Sequence, residues 1–360
     1  MKKILFLIVS FLGFSVSEVQ ALTCEYKVEQ AVQYGTGKVS LEYTKITEET
    51  TKQKLYLDAY IPTVCDGQAV TGNLSAIEWV HGGGFGGGQR NENGIVEIAQ
   101  VLAQNGFAVF SIDYRLVPNE KKKTKLPVLE TLPETKRAAL MRDVQEALQN
   151  GSPASIDSAQ NLYGAYVSVE DGLKAKQWIF DNAERFHVAT DRIGLMGASA
   201  GAVSVLSQAY LADDIGFDRG VVTAVVDMFG TTQPLSALEA GEAPLLIIHG
   251  TEDQVVRYTE SEKLLTQAQT VGISVERITM KGARHGLREA DILHRRGEGM
   301  NQPIISRVVS FFDEHLRCQA GETDCSLSGD SSPMLTDEDA DKRVGFWHRL
   351  WNSLLRFFRN

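Results

Sequence analysis

The chain reads as an α/β protein with a mostly parallel central sheet, helices on both faces and an inserted cap. From Leu55 to Leu316, short β-branched runs alternate with longer helical stretches, the pattern of parallel strands joined by crossover helices. Several of the runs are almost wholly apolar, as strands covered on both faces are. The alternation is broken once, by a connection of about fifty residues between Tyr114 and Val169, far longer than an ordinary loop.

Taken in order, the strand candidates are Lys54–Ile61, Ala76–Val80, Ala108–Tyr114, Arg192–Met196, Val221–Met228, Leu245–His249 and Ser274–Thr279. The segment before them also looks like strands rather than a helical cap. Helical periodicity fits Gly94–Gln104, Val169–Ala183, Ala200–Ala212, Thr259–Gln269 and Ile304–Leu316. The long connection holds a Lys-rich patch from Lys121 to Lys125, Pro127 and Pro133, and an amphipathic stretch from Glu134 to Gln149. It reads as a partly helical, cap-like insertion at about 117–165.

Composition narrows the class without naming a chemistry. The 360 residues are 43% hydrophobic and 23% charged, which excludes a mainly disordered chain, a collagen-like repeat and a polytopic membrane protein. Lys and Arg number 36 against 46 Asp and Glu, a net charge of −10. Such a surface repels phosphate backbones, so no nucleic-acid partner is expected.

Both ends differ from the middle. Lys2 and Lys3 precede an apolar run from Ile4 to Phe14, and Val19-Gln20-Ala21 supplies small residues for cleavage. Residues 1–21 therefore read as a secretory signal peptide, and the protein as exported, periplasmic or extracellular. Residues 22–320 would form the α/β domain. Residues 321–341 read as a flexible acidic linker, with seven acidic side chains and no basic one between Glu322 and Asp341. Residues 342–360 carry five Lys or Arg and no acid. On a helical wheel, Phe346, Trp347, Leu350, Trp351, Leu354 and Phe358 share one half, with Arg349, Arg356 and Arg359 opposite. Lys342–Asn360 reads as a basic amphipathic helix for a membrane surface, with docking on protein as the competing reading.

Four cysteines, Cys24, Cys65, Cys318 and Cys325, follow the leader. An even count in an oxidising compartment argues for two disulfides, with three connectivities open. The short spacing of Cys318 and Cys325 suggests local closure, which leaves Cys24 with Cys65. No C-x-x-C pair or clustered His accompanies them, so neither a metal nor a cofactor is expected.

Four stretches carry chemistry. Gly197-Ala198-Ser199-Ala200-Gly201 follows an apolar strand and opens a helix. Small neighbours are what a sharp strand-to-helix turn needs if it is to project a serine hydroxyl. His81-Gly82-Gly83-Gly84 ends another strand, and consecutive glycines let backbone N–H groups converge on one point. The N–H groups of Gly83, Gly84 and Ala200 could so face the charge that develops on a carbonyl oxygen. His249-Gly250-Thr251-Glu252-Asp253 places two acids just past a third strand, and Gly282-Ala283-Arg284-His285-Gly286 places a histidine after the last. An acid can orient such a histidine, and the histidine can deprotonate a serine.

With these motifs in the order Ser199, Asp253, His285, and with Asp113-Tyr114-Arg115-Leu116 beside them, the chain resembles the α/β-hydrolase superfamily. It is most similar to the hormone-sensitive-lipase-like and related secreted carboxylesterases, over about Leu55 to Leu316. The resemblance implies an α/β-hydrolase fold and hydrolysis of carboxylic esters through an acyl-enzyme. It implies Ser199 as nucleophile, His285 as base, Asp253 rather than Glu252 as orienting acid, and Gly83, Gly84 and Ala200 as oxyanion donors. His81, Asp113 and Arg115 would be structural. The partner would be a small-molecule or lipid ester. The chain departs from that pattern at Ala198, where those esterases usually carry Asp, and at Ala202, where they often carry Gly; these departures and the strand-like N-terminal part point toward the neighbouring secreted carboxylesterases, including those acting on plant cell-wall esters. Asp227, at another strand end, is the alternative acid.

Other classes fit less well. Gly82-Gly83-Gly84-Phe85-Gly86-Gly87 matches a dinucleotide fingerprint, but Gln89–Asn93 delays the helix that should hold a pyrophosphate. A non-catalytic, hydrolase-like protein binding a membrane or partner through its tail could dispense with a triad member, yet all three candidates are present.

Overall fold

The computed structural model describes residues 23–40, 50–116, 159–214, 217–232, 235–285 and 291–317. The leader, most of the cap-like insertion (117–158), the acidic linker, the basic tail, and Cys318 and Cys325 lie outside the described residues.

The described strands are β1 (Cys24–Ser40), β2 (Thr50–Cys65), β3 (Gln68–Ala69), β4 (Leu74–Val80), β5 (Ala108–Ile112), β6 (Val188–Ala198), β7 (Ala224–Met228), β8 (Leu245–Gly250) and β9 (Val275–Met280). They form one sheet in the order β1-β2-β5-β4-β6-β7-β8-β9, with β3 pairing β2. β1, β2 and β5 pair antiparallel, and every pair from β5 through β9 is parallel. The helices are α1 (Asn93–Gln104), α2 (Ala159–Asp181), α3 (Ala183–Phe186), α4 (Ala200–Tyr210), α5 (Tyr258–Val271), α6 (Asp291–His294) and α7 (Ile304–Leu316). This is the α/β-hydrolase architecture, a mostly parallel sheet with helices on both faces.

Burial follows the alternation of side chains along each strand. Leu55, Leu57, Ala59 and Ile61 of β2 join one core, into which α2, α4 and α5 send Ile179, Val203, Leu206, Leu264 and Ala268. Tyr60, Ile77, Trp79 and Val109 join the other, under Ile95, Ile98 and Leu102 of α1 and Phe311 and Phe312 of α7. β4, β5, β7 and β8 are buried along their whole length, which explains their nearly unbroken apolar runs.

Several boundaries move for reasons of pairing. β2 extends to Thr50–Cys65 because β1 pairs with it from Ser40↔Thr50 to Cys24↔Cys65, and the Cys24–Cys65 disulfide closes that end. β5 stops at Ile112, opposite the last residue of β4, which frees Tyr114 to turn beneath the glycine loop. α2 begins at Ala159, ten residues before the periodicity suggested (169 − 159), and so takes up the end of the expected insertion. Its Gly164 explains the poor signal there. A Cβ at that position would lie 2.5 Å from Cβ of Phe85, so the helix presses directly on the glycine loop.

β4 has β5 on one side and β6 on the other, so the connections leave it in opposite directions. In open α/β sheets the crevice beyond the carboxyl ends of such strands is where sites are built. The glycine loop follows β4, and Ser199 follows β6.

Candidate active site

Ser199 occupies the one-residue turn between β6 and α4 with φ 53° and ψ −118°. A non-glycine residue is strained in this region, and such strain persists only where neighbours enforce it. The enforcing contacts are backbone. A Cβ on Gly197 would lie 2.4 Å from the carbonyl oxygen of Gly201, and one on Gly201 would lie 2.0 Å from that of Val80 and 2.5 Å from that of His81. The G-x-S-x-G spacing is thus a packing requirement against the end of β4. The N–H of Ser199 donates to the carbonyl of Met228 at 2.9 Å, which ties the turn to β7 as well.

The hydroxyl of Ser199 lies 2.9 Å from Nε2 of His285. Nδ1 of the same ring donates to Oδ2 of Asp253 at 2.8 Å. The imidazole is partly exposed, with the edge of Phe229 at 5.3 Å between ring centroids. Asp253 is buried, and its Oδ1 accepts the N–H groups of Val255 and Val256 at 2.8 and 2.9 Å. Burial alone would raise this carboxyl, but the nearby His249 imidazole, 3.5 Å away, and the hydrogen bonds from His285 and Val255 outweigh it and hold it well below the usual carboxylate range. The aspartate therefore stays ionised and fixes which nitrogen of His285 carries the proton. The three sequence candidates meet in one hydrogen-bonded line, whereas the neighbouring Glu252 points outward and pairs loosely with Arg284. The alternative acid, Asp227, spends its Oδ1 on the N–H of Gly230 at 2.7 Å.

The glycine loop sits against this turn. A Cβ on Gly82 would lie 3.0 Å from the carbonyl oxygen of Ala198 and 3.4 Å from Cβ of Ser199. Gly83 adopts φ 113°, and its carbonyl accepts the N–H groups of Gly86 and Gly87, which curls the loop back on itself. Ala200 opens α4, and a first-turn N–H has no acceptor within its own helix. His81 is buried and braces the loop. Its Nδ1 lies 2.7 Å from the carbonyl oxygen of Gly82, and its ring stacks on Tyr114, whose hydroxyl donates to the His81 carbonyl at 3.2 Å. Burial outweighs the Gly82 carbonyl and keeps the His81 imidazole below its ordinary value, hence neutral.

Sequence reasoning missed the pin at the far end of this loop. Arg90 donates from Nε to the wholly buried Asp58 at 2.8 Å and from Nη1 to Asp113 at 2.6 Å, while its backbone N–H takes the other Asp113 oxygen at 2.9 Å. Nothing in a lone arginine after a glycine run signals two carboxylates, one from β2 and one just past β5. Arg115 instead ties the start of the insertion to α2 through Asp171 at 2.7 Å and Glu170. Among the described residues no group of three or more His, Cys, Asp or Glu could hold a metal, and no helix is long and apolar enough to cross a membrane.

Known proteins match the chain in separate stretches. The model of the prolyl oligopeptidase family matches residues 222–317, and the BD-FAE model matches residues 57–127. A fumonisin B1 esterase from Sphingopyxis macrogoltabida is 27% identical over 225 residues, covering 61% of this chain and 34% of that protein. The chain thus spans about a third of the length of this relative. Among solved structures, a truncated carbohydrate esterase from gut microbiota has a TM-score of 0.50 at 18% identity, covering 81% of this chain and 96% of its own. Esterase 2 of Thermogutta terrifontis, solved in a phosphonylated form, has a TM-score of 0.48 at 17% identity over 81% of this chain and 92% of its own.

Proposed function

We propose that the chain is an exported serine hydrolase of carboxylic esters, a member of the α/β-hydrolase superfamily among its hormone-sensitive-lipase-like carboxylesterases. The observation that carries this reading is the line from Ser199 through His285 to Asp253, with spacings of 2.9 and 2.8 Å.

In the proposed reaction, Nε2 of His285 accepts the Ser199 proton as Oγ forms a bond to the ester carbonyl carbon. The carbonyl oxygen becomes an oxyanion facing the N–H groups of Gly83, Gly84 and Ala200. The carbon–alkoxy bond then breaks, His285 returns its proton to the departing alkoxide, and an acyl-Ser199 remains. Water, deprotonated by His285, repeats the addition and releases the acid. Asp253 stays ionised throughout and stabilises the imidazolium. Substrates are small-molecule or lipid esters; the similarity to a fumonisin B1 esterase supports an ester as the substrate.

Replacing Ser199 with Ala tests this directly. The variant should melt like the wild type, fail to turn over p-nitrophenyl acetate and resist labelling by a fluorophosphonate. Wild-type turnover in a folded S199A protein would remove the nucleophile and the reading with it. Export and a membrane-binding tail are part of the same proposal, on the leader and on the basic amphipathic pattern of Lys342–Asn360. Deleting 342–360 should abolish binding to anionic liposomes and spare hydrolysis of a soluble ester. Equal liposome binding by both forms would refute the tail's role.

A further inference from the structure

We propose that His249 is a positioning residue of the same site, holding the Asp253 carboxylate through the oxygen that binds His285. The inference rests on the triad reading above and adds a residue to it.

His249 is the penultimate residue of β8, wholly buried, four residues before Asp253. Its Nε2 is 2.9 Å from the carbonyl oxygen of Val256, so this nitrogen carries a proton and donates. The same nitrogen lies 3.5 Å from Oδ2 of Asp253. Oδ2 is the oxygen that accepts from His285 at 2.8 Å, whereas Oδ1 is taken up by the backbone of Val255 and Val256. The nitrogen that donates to the Val256 carbonyl at 2.9 Å thus also lies 3.5 Å from the carboxylate oxygen that orients the base. A buried core histidine would need only the first of these contacts. The second draws electron density from Oδ2 and fixes its distance from His285.

The surroundings support a tuned group rather than a filler. Asp227 on β7 faces His249 and, like Nδ1 of His249, has one polar atom without a partner among the described residues. Tyr258 on α5 stands edge-on to His249 at 6.0 Å, with the Arg277 guanidinium of β9 over its ring at 4.7 Å. Burial would push His249 down, but Asp253 and Asp227 outweigh it and hold the ring above its ordinary value. His249 and His285 together help to hold the Asp253 carboxyl below its ordinary value.

The sign of the effect follows. Without the His249 N–H, Oδ2 becomes a stronger acceptor for the His285 imidazolium, so the proton is harder to remove and the acid limb of activity moves to higher pH. The test compares His249→Asn, whose amide cannot reach as far as Nε2, with His249→Gln, whose amide can. For H249N we expect kcat/KM for p-nitrophenyl acetate to fall on the order of 10-fold and the acid limb to rise by about half a pH unit. H249Q should return the limb to the wild-type position and recover part of the turnover. If H249N does not melt cooperatively, H249F, which fills the space without a donor, must show the same rise. A folded H249N or H249F with an unmoved acid limb overturns the inference, as does an H249Q that shifts like H249N. An active S199A protein would instead defeat the reading beneath it.

Discussion

Arg90 offers the most quantitative test of how the glycine loop is held. In Arg90→Met, Asp58 keeps only the N–H of Ala31 at 2.7 Å, its Oδ2 being already without a partner among the described residues. The lost contacts are a 2.8 Å bond to a fully buried carboxylate and a 2.6 Å bond to Asp113, between side chains no more than 22% exposed. Removing one partner of a buried pair costs about 3–5 kcal/mol, most of it the stranded charge. Asp113 has some access to water and keeps the Arg90 backbone N–H, so about 3 kcal/mol is expected. The urea midpoint should fall with an unchanged slope. Because the lost arm anchors the loop that carries Gly83 and Gly84, turnover should also drop by about 10-fold or more. Adding Asp58→Asn removes the stranded charge and should recover about half of the stability but not the turnover. An R90M protein within about 0.5 kcal/mol of the wild type would refute the reasoning.

Gly201→Ala should be far more damaging than an ordinary helix substitution. Its Cβ would meet backbone at 2.0 Å, so β4 and the Ser199 turn must separate. A shift of about 1 Å there costs on the order of 100-fold in turnover, and a G201A enzyme of near wild-type activity would show the contact can relax cheaply. Asp227 makes a pH prediction. Burial pushes this carboxyl up to about 6, against the pull of His249 and the N–H of Gly230. An unfolded aspartate titrates near ~3.9, so between the two values the folded state binds the extra proton and stability falls as pH rises. The upper bound is about 3 kcal/mol across that window. Asp227→Asn removes that slope, so relative to the wild type it should gain stability between pH ~4.5 and ~7, measured by urea midpoints. Glu78, also raised by burial, to about 7, slopes the same way in both proteins and does not alter the comparison. A pH-independent difference would refute the assignment.

Much of the site was legible in the sequence because it depends on local backbone requirements. A serine at φ 53° between a strand and a helix needs glycine two residues before and after it, and that demand is written into consecutive positions. The same holds for the His81 loop and for apolar runs buried on both faces. Strand pairing explains why the segment of β1 reads only as strand-like, without bounds. Its exposed and half-buried side chains carry a weak signal, and β2 recruits it through the sheet edge.

Other features existed only once distant segments met. The sequence could rank Asp253 over Glu252 only by resemblance, whereas the fold separates them by burial, turning one inward under His285 and the other out to Arg284. Arg90 finds Asp58 and Asp113 across 32 and 23 residues, and His249 finds the oxygen already engaged by His285. Local motifs record what a backbone must do at one point. Which charges share a dry space is decided by packing, because a carboxylate's behaviour depends on the donors and the solvent around it and on nothing adjacent in the chain.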